Sequence, residues 1–172
     1  AAVGYENVTG GIAEDWLVTN QIDLTNFTSP VLDFRIRDSY TTNYGSTFTV
    51  KVSTSSQTTH ADFTTVWGPS NEPSTSYVGP ASAIDLSSYA GQSIYVAFIW
   101  ANDDGDNCYL DDISIVGTQN YPVTYSWTPS TGLSATNIAN PTANPSSTRT
   151  YTMTATSNGC TATDDVIVTV TA

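Results

Sequence analysis

Apolar and polar residues alternate along most of this chain with a period of two, the pattern of a strand with one face buried and one face wet. In Ser29–Arg37, Leu32, Phe34 and Ile36 fall on one face and Val31, Asp33, Arg35 and Arg37 on the other. Thr47–Thr54 repeats this, with Phe48, Val50 and Val52 inward and Thr47, Thr49 and Lys51 outward. Ser93–Ala101 is almost wholly apolar and reads as a central strand. Asp15–Asn20 is a short β-branched strand, and Phe63–Trp67 is another inside a stretch rich in Ser, Thr, Pro and Gly. Leu86–Gly91 predicts one helical turn, capped by Ser87 or Ser88 and ended by Gly91. No segment carries a helical stripe. Trp16, Trp100 and Trp127 lie on apolar strands and are expected in the core.

Gly117–Pro122 reads as a boundary. Beyond it come strands at Val123–Thr128, Thr148–Thr156 and Thr163–Thr171, separated by a turn-rich stretch with Pro129, Pro141 and Pro145. Asn158-Gly159 predicts a two-residue hairpin turn. The expected architecture is therefore all-β, with a jelly-roll-like sandwich over 1–117 and a small immunoglobulin-like unit over 118–172. The second unit is small for an independent core.

Composition narrows the partners. The net charge is −12 over 172 residues, and the cations are Arg35, Arg37, Lys51 and Arg149. Such a balance excludes nucleic acid as a partner and disfavours anionic membrane surfaces. The longest apolar run, Ile94–Ala101, is too short to span a bilayer, so no membrane insertion is expected. The Ser, Thr and Asn content suits a secreted β-protein, and the beginning at Ala1 is read as a processed product. Cys108 and Cys160 stand outside any CxxC pair. They either bond to each other in an oxidising exterior or remain free thiols.

Chemistry concentrates in Asn102–Val116, where five of fifteen residues are aspartate. Carboxylates this dense repel one another unless a cation lies between them, and oxygen ligands from a loop and a strand edge suit Ca²⁺. The candidate ligands are Asp104, Asp106, Asp111 and Asp112, with Glu14 and Asp15 ahead of the Trp16 strand. The reasoning for Asp111 and Asp112 is that both cannot face solvent on a half-buried strand. Trp67, beside Gly68-Pro69, is the first candidate for an exposed sugar-stacking platform, and Tyr40 and Tyr44 follow. Catalysis finds no support. His60 is the sole histidine, in a Ser/Thr-rich loop, and no serine sits in a nucleophile elbow.

Two ordered sets of residues carry a family resemblance. Glu14-Asp-Trp-Leu-Val-Thr19, Ile22-Asp-Leu24, Ile84-Asp-Leu-Ser-Ser-Tyr-Ala-Gly91 and Tyr109-Leu-Asp-Asp-Ile113 together resemble the cleaved-adhesin or choice-of-anchor-J domains of secreted Bacteroidetes proteins, relatives of MAM-type jelly rolls. Tyr125-Ser-Trp-Thr-Pro, Asn140-Pro-Thr, Thr150-Tyr-Thr and Asn158-Gly-Cys-Thr-Ala-Thr-Asp164 look like the PKD or Ig-like modules of the same proteins. The resemblance implies a structural calcium near the terminal strands. It implies a non-catalytic extracellular adhesion or structural module, which recognises a glycan or cell surface or copies of itself. The alternative is a carbohydrate-binding module clipped from a secreted hydrolase. Against both family patterns the first strands are absent, which implies substitute pairing or strand exchange in a fibre. The usual partner of Cys160 is absent too, which directs it to Cys108.

Overall fold

The computed structural model describes residues 2–3, 13–38, 46–71, 75–80, 82–102 and 107–171. It is all-β and divides into two compact units, Ala1–Gln119 and Asn120–Ala172, two residues from the expected boundary.

The first unit is a two-sheet antiparallel sandwich. Its strands are β1 (Ala2–Val3), β2 (Ala13–Val18), β3 (Ile22–Asp23), β4 (Val31–Asp38), β5 (Thr47–Ser53), β6 (Thr64–Asn71), β7 (Ile84–Asp85), β8 (Ser93–Asn102) and β9 (Cys108–Val116). One sheet runs β1-β9-β4-β7 and the other β2-β8-β5-β6, with β3 following β2 along the same side of β8. Thr19 bridges the gap between β2 and β3. Its N–H donates to the Val96 carbonyl, and its Oγ1 accepts the Val96 N–H at 3.0 Å. A one-turn 3₁₀ segment, Ser87–Tyr89, stands where the helical turn is predicted, and Gly91 ends it at φ 78°.

The core follows from the alternation. Leu32, Phe34 and Ile36 from β4 meet Phe48, Val50 and Val52 from β5 and Ile94, Val96, Phe98 and Trp100 from β8. Phe34 is the hub: its ring lies 5.5 Å from Phe98, 5.6 Å from Trp67 and 5.7 Å from Phe48. The same parity carries Asp38, the last residue of β4, fully inside at 0% exposure.

A second, smaller cluster covers the outer face of the five-stranded sheet. Phe63, Ala97 and Ile99 are buried there, with Trp16, Val18 and Tyr95 packed against them. Trp16 pairs across with Ile99, so it belongs to this outer face and not to the core between the sheets. The His60 ring stacks on it at 3.9 Å and 7°, and Phe63 meets it edge-on. The sole histidine is thus a lid on a tryptophan.

The second unit is a three-stranded antiparallel sheet, β10 (Thr124–Thr128), β11 (Arg149–Ser157) and β12 (Cys160–Val168), in that order. Asn158 and Gly159 both have positive φ, 47° and 77°, as a type I′ hairpin turn requires. One face carries Trp127, Tyr151, Met153 and Val166 and is crossed by the 129–145 segment. The Tyr151 hydroxyl donates to the Thr131 carbonyl at 2.8 Å, and the Trp127 Nε1–H donates to the Ile138 carbonyl at 2.9 Å. Gly132 (φ 83°) lies under this contact, where a Cβ would meet Pro145 and the Tyr151 hydroxyl. The other face is a grid of threonines, in which Thr124, Thr156 and Thr161 align across the three strands, as do Ser126, Thr154 and Thr163.

Candidate functional site

A cleft of the first unit opens between β6 and β7, at the margins of the two sheets. Val66, Trp67, Ser82, Ala83, Ile84 and Asp85 line a volume of about 350 Å³. Its polar anchor is Asp85, whose Oδ1 accepts the Ser87 N–H at 2.8 Å. Hydrogen bonding from Ser87, side chain first and backbone second, holds this carboxyl below the usual carboxylate range, so the cleft carries a negative charge at neutral pH.

Trp67 is not the free platform expected of it. It is half-buried, with its ring edge-on to Phe34 at 83° and at 6.3 Å from Phe48. The cause is register. Pairing between β5 and β6 slips twice, so Trp67 faces Val50, an inward residue, and takes the same side of the sheet. The first slip falls at Gly68-Pro69, where proline has no N–H to give the ladder, and the second at Val66. Trp67 therefore forms a wall of the cleft while it anchors in the core. Tyr40 and Tyr44 lie outside the described residues.

An aromatic row that the sequence reading missed crosses the outer face of the four-stranded sheet. Arg37 pairs across with Tyr109, and its guanidinium lies 3.9 Å from that ring and 5.3 Å from the Tyr77 ring. Tyr77 is 46% exposed. Its place is fixed by the Ile36–Val78 bridge, in which each residue's N–H donates to the other's carbonyl. Beside this row Arg35 bonds Asp33 Oδ1 and the Phe34 carbonyl, both at 2.9 Å.

Among the described residues the candidate calcium ligands are not gathered into one place. Glu14 and Asp15 are on β2 and Asp111 and Asp112 on β9, in different sheets. Sheets pack about 10 Å apart, and Asp111 sits opposite the outward Arg35. Glu14 Oε2 accepts the Trp16 Nε1–H at 3.1 Å, and Asp15 pairs across with Trp100. Asp111 and Asp112 are both exposed, against the argument that they could not be. Asp112 has φ 50°, and Asp112 and Ile113 together oppose Phe34, so a bulge breaks the alternation there. Asp104 and Asp106 lie outside the described residues. Among the described residues no three His, Cys, Asp or Glu side chains stand together in a metal-holding group.

Where a bond between the cysteines is expected, the structure has two free thiols, one in each unit. Cys108 is buried opposite Asp38, and Cys160 is exposed beside the hairpin turn. Burial first, and the Asp38 charge second, push the Cys108 thiol up to about 12. Since the thiolate is the reactive form, Cys108 is inert while the unit is folded. A thiol reagent is expected to modify Cys160 in the native protein and Cys108 only on unfolding. Finding no free thiol in the denatured, unreduced protein would restore the disulfide.

Compared with known proteins, the chain matches no protein-family model, and no curated protein aligns with it significantly.

Proposed function

We propose that this chain is a non-catalytic adhesion or structural module of a secreted or cell-surface protein, and that it works by presenting β-sandwich surfaces to a partner. The observation that carries the reading is the tandem of two separate antiparallel β units, a two-sheet sandwich followed by a small three-stranded unit. Sandwiches of this kind serve widely as recognition domains at cell surfaces. The second unit fits an immunoglobulin-type C-F-G sheet: three antiparallel strands, a tryptophan on the first and a buried tyrosine on the second whose hydroxyl ties to upstream backbone. The resemblance to adhesin-like and PKD-like modules supports the same conclusion.

Glycan recognition is the second reading, and the Trp67–Asp85 cleft favours it. One aromatic wall with a nearby carboxylate suits a sugar ring and its hydroxyls. The test is retention of the purified chain on a glycan array and on glycan-coated beads, beside the Asp85→Asn variant. Asparagine keeps the oxygen that caps Ser87 and removes the charge. For a cleft that binds sugar, the variant is expected to bind about tenfold more weakly, equivalent to about 1.4 kcal/mol. Retention that is unchanged in the variant would remove the cleft from the reading. Turnover of any arrayed glycan would overturn the non-catalytic assignment.

A further inference from the structure

Among the described residues, β9 in the first unit and β12 in the second each present an open edge, and both strands carry an Asp-Asp pair in which the second N–H donates to the first carboxylate. β9 is paired with β4 along its length, but on its other side β1 pairs only with Cys108 and Tyr109. β12 is paired with β11 alone. Among the described residues no strand lies against Asp111–Val116 on the outer side of β9, or beyond β12. Both edges offer apolar residues to a passing strand: Ile113 is 44% exposed and Val116 56%, Val166 44% and Ile167 65%. Such edges template the addition of another chain.

The Asp-Asp pairs sit where they oppose this. In β9 the Asp112 N–H donates to Asp111 Oδ1 at 2.9 Å, and in β12 the Asp165 N–H donates to Asp164 Oδ1 at 2.9 Å. Ser157 and Cys160 close the β11–β12 hairpin, and every second pair from there exchanges ladder bonds. Asp165 falls on the alternate set, so its N–H points to the open edge, and the Asp164 carboxylate already occupies it. Asp164 pairs with Met153, so its charge stands on the sheet's apolar face. In β9 the pair lies at the bulge, where left-handed Asp112 bends the edge away from the straight line an added strand needs. An inward-facing charge and a bulge are two separate means of blunting an edge.

We propose that Asp111-Asp112 and Asp164-Asp165 are edge guards, which keep the last strand of each unit from pairing with that of a second copy of this chain. They make the open edges compatible with a monomer. The acidity concentrated in these strands then serves solubility.

The test is the oligomeric state of the full chain by light scattering across a concentration series. The wild type is expected to remain monomeric. Asp164→Thr with Asp165→Thr turns β12 into an unbroken β-forming edge, and its mass-average is expected to rise at least twofold with concentration. Adding Thr163→Lys to that variant places a charge back on the edge and is expected to restore the monomer. Asp23→Asn with Asp62→Asn removes two charges away from both edges and is expected to change nothing. If the double variant does not fold, Asp164→Thr alone, which frees the edge N–H of residue 165 and removes the charge from the apolar face, provides the same readout. A folded variant that stays monomeric at every concentration, equal association of the control, or association of the wild type would each overturn the proposal.

Discussion

Phe34→Ala is expected to destabilise the first unit by about 3–5 kcal/mol, the range for deleting a large buried aromatic side chain. Phe34 is fully buried and touches the rings of Phe48, Trp67 and Phe98, which come from three different strands. Removing it takes one side from each of these contacts and leaves a void between two sheets, each stiffened by its own hydrogen-bond ladder. The loss is therefore transfer of apolar surface plus a cavity that cannot fully collapse. Chemical unfolding with the same baseline for both proteins measures it. Thr65→Ala, an exposed change in β6, is the comparison and should stay within about 0.5 kcal/mol. A Phe34→Ala loss no larger than that would mean the two sheets do not pack as described.

The position of Phe34 was legible because alternation in β4 is unbroken from Val31 to Asp38, and every residue obeys its parity. The same rule, carried one residue further, puts Asp38 inside. There it sits opposite the buried Cys108, a buried carboxylate that composition alone does not announce. What defeated the reading was broken parity. Val66 and Trp67 are both half-buried because β6 slips against β5, and no property of Trp67 itself reveals this. Asp111 and Asp112 both reach solvent because Asp112 adopts a left-handed backbone, which aspartate tolerates better than most residues. Trp16 obeys its parity, but which face of an edge strand is covered depends on residues far along the chain. The cover here is the loop holding His60 and Phe63, whose position is set by folding and not by local pattern. Hairpin chemistry was the most transferable signal, because Asn-Gly fixes the backbone by itself.

Tyr151 is to the second unit what Phe34 is to the first, with one difference that a pair of substitutions separates. Its ring is fully buried on the central strand, and its hydroxyl holds the 129–145 segment down through the Thr131 carbonyl. So small a unit has little other core, and beside this ring lies a groove of about 280 Å³ walled by Trp127, Leu133, Pro141, Val166 and Val168. Tyr151→Phe keeps the ring and strands the carbonyl, a loss of about 1–3 kcal/mol. Tyr151→Ala also empties the ring's space and is expected to cost about 3–5 kcal/mol, enough to consume the margin of a domain this size. Hydrogen exchange of β10, β11 and β12 reads both. The phenylalanine variant should lose protection first in the 129–145 segment, with the sheet still protected. The alanine variant should lose it throughout the sheet. Equal protection in the two variants would mean that the 129–145 segment, and not the tyrosine ring, supplies the stability of the unit.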